Sequence, residues 1–286
     1  MKFLMVFLSL VFAHAVSAQD DDITKLRALN WKETPDNYSI ADNKAVIKTT
    51  ENDFLITGQE AAEYMFIMQG HRSYSPDAAI LRVQGPEVDS QVIYTINEVG
   101  YLTQDDWDDN IDKAKMLEEI QEGTREANKQ RGEGYPNLYV DAWAQDPHLD
   151  KTNNTVYWAI AGHDDNQNEF INAKALKLGR EGYTEILWIG SPEQFSSAEV
   201  ALEPVLANYS YKEGFQYADY IPGSDKVAAA GVGALVYKLA TGKALAKAGF
   251  LALAAIFAKK LWFLVFLPVI YGWKWVKNRF SGKPSE

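Results

Sequence analysis

The chain has 286 residues, no cysteine and a formal net charge of −11, and the lack of cysteine excludes a disulfide scaffold, a thiolate metal site and a cysteine nucleophile. Residues 19–222 carry 37 Asp and Glu against 17 Lys and Arg, whereas residues 223–286 carry 10 basic residues against 2 acidic ones. The acidity of residues 19–222 argues against nucleic acid as a partner. The cationic, apolar tail at residues 223–286 fits the anionic surface of a lipid bilayer.

The first residues have the pattern of an export signal. Lys2 precedes an apolar run over residues 3–12, and small residues follow up to Ala18. A run of about ten apolar residues is short for a spanning helix, which needs about 20. We therefore predict a signal peptide at residues 1–18 with cleavage between Ala18 and Gln19. The alternative is an uncleaved N-terminal anchor.

Residues 19–222 predict one acidic, extracytoplasmic α+β domain. Helical spacing of apolar residues predicts helices, and short β-branched or alternating runs predict strands. The predicted helices cover residues 20–33, 59–68, 113–130 and 192–207. The predicted strands cover residues 45–49, 54–57, 78–83, 91–97, 138–144, 155–162, 170–178 and 182–189. Strands in meander spacing interrupted by helices predict an antiparallel sheet with packed helices. The order of elements loosely resembles that of Mog1 and PsbP-like proteins.

The acidic run from Asp105 to Asp112 has two interpretations. Read as an EF-hand loop from Asp106, it would need Gly at the position of Ile111 and Glu at the position of Leu117, and it has neither. Carboxylates that precede a helix instead complement the positive helix end. We therefore predict that this run caps the helix over residues 113–130.

Residues 223–258 are rich in Ala and Gly and carry Lys238, Lys243 and Lys247. At about 100° per residue these lysines do not gather on one helix face, which argues against a helix lying flat on the membrane surface. We predict that this segment is a membrane-proximal helix. Its small residues would allow close helix packing, including homo-oligomers formed through the tail.

Residues 259–286 predict a transmembrane anchor followed by a cationic tail. Residues 261–276 are mostly apolar and would form about 24 Å of helix. Placing Lys259 and Lys260 at the bilayer centre would cost about 2.5–3.5 kcal/mol each, so the pair is predicted to mark a membrane boundary. The predicted boundary residues are Lys259, Lys260, Trp262, Trp273, Lys274, Lys277 and Arg279.

Three topologies remain open for this tail. A single span leaves the C-terminus in the cytoplasm, and the positive-inside rule favours it because four basic residues follow Trp273. A hairpin would place the Lys259 and Lys260 pair at a cytoplasmic tip. The third alternative is a tail that lies in the interface without crossing.

Several short segments resemble a bacterial family of predicted membrane-anchored proteins, domain of unknown function 2167. The likeness runs from about residue 90 to the end of the chain. It implies a membrane location and no catalytic residue, because the family has no known activity. The segments are Gly100-Tyr101, Asp105-Asp106-Trp107, Glu122 to Asn128, Gly134-Tyr135-Pro136, Trp143-Ala144, Trp158-Ala159-Ile160, Leu178 to Gly182, Tyr217 to Tyr220, Asp225 to Ala228, and Lys259-Lys260.

Few residues suggest chemistry. The polar site with most potential combines His148 with His163, Asp164 and Asp165, all in segments predicted as loops or loop edges. The glycines of Gly231-Val232-Gly233 lack the preceding strand and the third glycine of a dinucleotide site. We identify no catalytic, cofactor or metal motif, so the sequence predicts no cofactor and leans against an enzyme.

The sequence therefore predicts a bacterial inner-membrane protein with most of its chain in the periplasm. Its predicted role is non-enzymatic binding or scaffolding in the cell envelope, with the lipid bilayer and an unidentified envelope protein or ligand as partners. Trp143, Trp158 and Trp188 are the aromatic candidates for such a contact, and core packing is the alternative for each. The alternative function is a hydrolase-like envelope enzyme with a histidine and carboxylate site.

Overall fold

The computed structural model describes residues 24–69, 75–84, 87–129, 137–167, 169–190 and 192–243. It confirms the α+β class with antiparallel sheets. In chain order the elements are β1 (Asn37–Ile40), β2 (Ala45–Lys48), β3 (Asp53–Thr57), α1 (Gln59–Gln69), β4 (Ala78–Gln84), β5 (Glu87–Asn97), α2 (Trp107–Asn110), α3 (Lys113–Asn128), β6 (Leu138–Asp150), β7 (Thr155–Asp164), β8 (Glu169–Leu178), β9 (Tyr183–Gly190), α4 (Ala198–Ala207), β10 (Tyr209–Tyr211) and α5 (Val232–Thr241).

Seven strands form one antiparallel sheet in the order β3-β4-β5-β9-β8-β7-β6. All eight residues of its middle strand, β9, are buried. They alternate between the two faces of the sheet, so that Ile186 and Trp188 join one apolar cluster and Leu187 and Ile189 join another. Both faces of the sheet are therefore covered, which explains the continuous apolar run over residues 186–189 of β9.

One face is covered by helix α4 and by a second, three-stranded sheet in the order β1-β2-β10. Ile47 of β2 and Leu202 of α4 lie in one cluster with Tyr94 and Trp188 of the large sheet. Ser197 caps α4, because its side chain accepts a hydrogen bond of 3.1 Å from the amide of Val200. The small sheet and α4 thus form a layer of their own.

The other face carries two groups of helices. Helix α1 and Leu26, which lies in a helical segment over residues 24–28, cover β3, β4, β5 and β9 near one edge. Helices α3 and α5 cover the strands nearer the other edge, around the fully buried Trp158 of β7. The large sheet is therefore the middle layer of a three-layer domain.

The segment predicted as a membrane-proximal helix is described as far as residue 243, and that part packs on the α+β domain. All ten residues of α5 are buried. Val232, Leu235 and Leu239 of this helix belong to the same apolar cluster as Trp158. Apolar packing therefore continues past residue 222, where the sequence predicted the domain to end.

The two predicted membrane-targeting regions lie outside the described residues. They are the signal peptide at residues 1–18, with its cleavage site at Ala18 and Gln19, and the anchor at residues 259–286 with all of its boundary residues. Within the described ranges, no helix combines the length and apolar character needed to cross a bilayer. The anchor therefore stays a prediction from the sequence.

Candidate functional site

Helix α5 begins with a cap from a distant part of the chain. Its N-cap residue, Gly231, has no side chain that could accept a hydrogen bond. Asp106 takes this role, because its Oδ1 accepts the amide of Gly233 at 2.9 Å and its Oδ2 accepts the amide of Ala234 at 3.0 Å. Asn110 donates to the same carboxylate at 2.9 Å and holds it in place. A negative charge at a helix N-terminus is also favoured by the helix dipole.

Two glycines allow this close approach. A Cβ atom on Gly231 would lie 2.2 Å from Oδ1 of Asp106, and a Cβ atom on Gly233 would lie 2.5 Å from the carbonyl oxygen of Asp106. Any larger residue would push the cap away from the helix. The segment Gly231-Val232-Gly233 therefore accommodates Asp106. Close contact with this residue explains why glycine stands at both positions, and no nucleotide-binding loop is needed to explain them.

A second contact lies between the turn after β8 and the segment that leads to α5. Nε and Nη2 of Arg180 donate to the carboxylate of Asp225 at 2.7 and 2.8 Å. Nη1 of Arg180 donates to the carbonyl of Gly214 at 3.1 Å. Hydrogen bonding from Arg180 lowers the pKa of Asp225 and correspondingly raises the pKa of Arg180. The bidentate geometry fixes both position and orientation of the pair.

Tyrosine rings and backbone bonds complete the attachment. The ring of Tyr101 stacks with those of Tyr217 and Tyr220, at centroid distances of 4.5 and 3.8 Å. The backbone of Tyr101 pairs with the same segment, donating to Lys226 at 2.8 Å and accepting from Ala228 at 2.9 Å. The hydroxyl of Tyr217 donates to the carbonyl of Leu102 at 2.7 Å.

Helix α3 holds the other side of α5. The hydroxyl of Tyr237 donates to the carboxylate of Glu119. At the end of the described chain, Nζ of Lys243 lies 2.6 Å from Oε2 of Glu122, on the surface. Both partners lie on α3, so this helix contacts the C-terminal half of α5 and the residue at which the described chain ends.

We call this set of contacts the clasp, and define it by Tyr101, Asp106, Arg180, Tyr217, Tyr220 and Asp225. All six residues lie in segments that carry the family resemblance. Each makes a contact that joins the sheet, or the loop before α3, to residues 214–243. The described polar groups of the clasp thus serve attachment of the C-terminal segment.

The acidic run before α3 was predicted to cap that helix, and Asp112 does so. Its side chain accepts the amide of Lys115 at 3.1 Å. Asp106, six residues earlier, instead caps α5. One acidic segment therefore caps two helices. The sequence pattern predicted the cap on α3, which follows directly, but not the cap on α5.

The turn after β8 is also joined to the small sheet. Nζ of Lys44 lies 2.5 Å from Glu98 and 2.7 Å from Glu181. The same ammonium group lies over the ring of Phe215, 5.4 Å from the ring centroid. Lys44 therefore links both sheets and the segment after β10.

The predicted polar site is divided between two ends of a strand pair. His148 pairs with Tyr157, and His163 pairs with Tyr139, six residues further along β7. At about 3.3 Å per residue, this places the two histidines about 20 Å apart. Asp164 is fully buried and accepts the amide of Asn166 at 2.8 Å. The structure therefore does not bring His148 to the other three residues.

His163 and Asp165 instead meet two other side chains at a corner of the sheet. Nδ1 of His163 lies 2.9 Å from Oδ2 of Asp141, and its ring stacks on Tyr139 with a centroid distance of 5.0 Å. The hydroxyl of Tyr139 donates to Asp165 at 2.8 Å, which raises the pKa of Tyr139. Among the described residues, no three metal-ligating side chains converge.

The tryptophan candidates pack mainly in the core. Trp158 and Trp188 are 1% and 4% exposed. Trp143 is partly buried, and its indole donates to the carbonyl of Lys113 at 3.0 Å. Core packing, the alternative to a partner contact, is thus what the structure shows for Trp158 and Trp188.

A buried ion pair was not predicted from the sequence. Nζ of Lys174 on β8 lies 2.6 Å from Oε1 of Glu185 on β9, and the two side chains are 5% and 1% exposed. It lies on the sheet face that carries α1, α3 and α5. No sequence signal pointed to it, because β8 and β9 read as ordinary strands with one charged residue each at this position.

The chain matches known proteins at the level of family and, weakly, of fold. It matches the family described as Protein of unknown function (DUF2167) over residues 32–270, which confirms the predicted resemblance. No curated protein matches it. It is similar to the solution structure of cyanobacterial PsbP (CyanoP) from Synechocystis sp. PCC 6803, with a TM-score of 0.37 and 9% identity, over 63% of this chain and 94% of that chain. Similarity at this level carries no argument about function.

Proposed function

We propose a function from the contacts of the molecule itself, because the chain belongs to the DUF2167 family, whose function is unknown. The protein is a membrane-anchored binding or scaffolding module of the bacterial cell envelope. Its acidic α+β domain is in the periplasm, and its C-terminal region anchors it in the inner membrane. Its partners are the lipid bilayer and an envelope protein or ligand, and the tail also offers small residues for a homo-oligomer.

The observation that carries this proposal is the clasp. All ten residues of α5 are buried in the core of the domain, whereas a flexible tether would leave the domain surface and be exposed to solvent. Asp106 and Arg180 both bond to the segment that leads towards the predicted anchor. The domain and this segment therefore form one packed unit as far as residue 243. A buried helix, and not a free linker from residue 222, thus precedes the predicted anchor, which suits a module that presents a surface near the membrane.

Two sequence features support the membrane location. The N-terminal pattern is typical of an exported protein. The basic residues after Trp273 favour a cytoplasmic C-terminus and hence a single span, with the hairpin as the alternative. The proposal thus places the acidic domain and the cationic tail on opposite sides of the membrane.

Thiol labelling tests this topology, because the chain has no cysteine of its own. Asp109→Cys and Lys283→Cys would each be treated with a membrane-impermeant maleimide in cells whose outer membrane is permeable. We expect Asp109→Cys to react at once and Lys283→Cys to react only after lysis. Reaction of both would support the hairpin. Reaction of neither, or release of the protein by an alkaline wash, would overturn the proposal.

A second candidate function, a hydrolase-like enzyme, is favoured by one observation. Nδ1 of His163 lies 2.9 Å from Oδ2 of Asp141 and leaves Nε2 on the other side of the ring, which is the arrangement of a histidine general base oriented by a carboxylate. Hydrolysis of activated esters by the full chain would test it. Loss of turnover in His163→Gln and Asp141→Asn, with turnover kept in His148→Gln, would favour the enzyme. Equal turnover in all three variants would exclude this site.

A further inference from the structure

We propose that the corner formed by Tyr139, Asp141, His163 and Asp165 binds an arginine or lysine side chain from a basic segment of a partner polypeptide. This inference rests on the proposed binding function and names the class of partner. It depends on three properties of the corner: an exposed aromatic surface, a group of carboxylates, and a strand edge that is already covered.

The aromatic surface comes from two neighbouring strands. Tyr139 on β6 and His163 on β7 are register partners, and their rings are stacked with an interplanar angle of 19°. Tyr139 is 39% exposed, so part of its ring is accessible to a ligand. Its hydroxyl donates to a carboxylate, Asp165, which makes the ring richer in electrons. An electron-rich ring face attracts a cation within about 6 Å of its centroid.

Three carboxylates surround these rings. Asp141 is half exposed and bonds to His163. Asp165 bonds to the hydroxyl of Tyr139. Glu169 on β8 is exposed and is the register partner of His163 across the next strand pair. Directly opposite side chains in a sheet lie about 5 Å apart, so all three acids lie around one patch. Three carboxylates outnumber the single imidazole, so the patch is anionic and favours a cationic ligand over a neutral one.

The strand edge beside the patch is not available for an added strand. Asn128 of α3 donates to the carbonyl of Leu138 at 2.8 Å and accepts its amide at 3.1 Å. Gln121 of the same helix donates to the carbonyl of Val140 at 3.1 Å. These side chains occupy the backbone groups that an incoming strand would need. A partner therefore contacts the corner through the partner's own side chains. The ring of Tyr139 and the carboxylates around it provide the recognition.

A titration of the full chain in detergent micelles tests the proposal. The probe is a capped peptide of alternating Arg and Gly, and the matched negative probe has Glu in place of Arg. The protein carries isotope-labelled histidine rings, and the mature chain has only His71, His148 and His163 to report. We expect a saturable shift of the His163 resonance with the Arg peptide, while His148 provides an internal reference about 20 Å away.

Surface variants then test the contacts. Tyr139→Leu should weaken binding about two- to fivefold, as expected for one exposed cation and ring contact. The double variant Asp141→Asn with Asp165→Asn should abolish saturation, whereas Asp109→Asn, an exposed acid outside the corner, should leave it unchanged. Thermal melts confirm that each variant is folded.

Several outcomes would overturn the inference. They are equal shifts of His148 and His163, an unchanged affinity in Tyr139→Leu, equal weakening by Asp109→Asn, or no shift at all. Because micelles expose both sides of the chain, none of these outcomes depends on topology. The thiol-labelling result would stand whatever the titration shows, and a failed titration is thus distinguishable from a failure of the membrane proposal.

Discussion

Replacing Asp106 with alanine should detach α5 from its cap. The substitution removes the bonds from the amides of Gly233 and Ala234, which are 2.9 and 3.0 Å long. A bond to a charged acceptor contributes about 1.5–3 kcal/mol, and loss of a helix N-cap costs about 0.5–2 kcal/mol. Because both bonds share one carboxylate, their contributions are not independent. We expect the free energy of unfolding to fall by about 2 to 3 kcal/mol.

Urea unfolding of the full chain in mild detergent, followed by tryptophan fluorescence, measures this loss. Asp109→Ala is the matched control, because Asp109 is an exposed acid in the same segment with the same charge. We expect that control to change stability by less than about 0.5 kcal/mol. If Asp106→Ala were no less stable than Asp109→Ala, the cap on α5 would contribute nothing, and the argument from the clasp would be refuted.

Three further predictions concern packing and charge. Gly233→Ala places a Cβ atom 2.5 Å from the carbonyl oxygen of Asp106, and the free energy of unfolding in urea should fall by about 1–3 kcal/mol. The lowered pKa of Asp225 means that its stabilising effect is present above the ordinary value of 3.8 and is lost as pH falls through the lower folded-state value. The difference in Tm between wild type and Asp225→Asn should therefore be largest near pH 7 and shrink in acid. Lys174→Met leaves Glu185 buried without its cation and should cost about 3–5 kcal/mol in urea unfolding, whereas the double change with Glu185→Leu should recover most of this loss.

Most of the large sheet could be predicted from the sequence, because its strands are long and apolar. The predicted strands over residues 78–83 and 155–162 fall within β4 and β7, and the one over residues 182–189 matches β9 to within one residue at each end. The small sheet was only partly predicted. Its outer strands, β1 and β10, have only four and three residues, so the alternation in NYSI and YSY is too short to distinguish them from loops. β1 pairs with β2 across a short turn, whereas β10 pairs with β2 from much later in the chain, and that long-range pairing leaves no local signal.

Strand β6 extends beyond its predicted end for a similar reason. The prediction stopped at residue 144, and the strand continues to Asp150. Its register with β7 shifts three times, and Pro147 lies within it. Bulges break the period of two on which strand prediction depends. The irregular edge therefore resembled a loop in the sequence.

The clasp could not be derived from local pattern. Asp106 and Gly233 are separated by 127 residues, so no helix-capping rule connects them. The family resemblance did point to the right segments, although it assigned them no role. The predicted domain boundary at residue 222 was based on a change in composition. Composition alone is ambiguous there, because Ala-rich helices occur both in membranes and in protein cores. Only the packing of α5 distinguishes these two cases.

The candidate polar site depended on the same missing information. His148 and His163 both lie among polar residues, and the sequence left open that they meet. Pairing of β6 with β7 places them at opposite ends instead. The partners of His163 are Tyr139 and Asp141, on the neighbouring strand. Register determines which side chains become neighbours, and the sequence alone did not specify it.

Hydrogen exchange of the full chain tests the central claim most directly, namely that α5 is part of the folded domain. The measurement compares amides of α5 (Val232–Thr241) with those of β9 (Tyr183–Gly190), at the centre of the large sheet. The clasp predicts that both sets exchange only through global unfolding, with the same dependence on denaturant, and that Asp106→Ala releases α5 first. Fast exchange of α5 in the wild type, while β9 stays protected, would contradict the account.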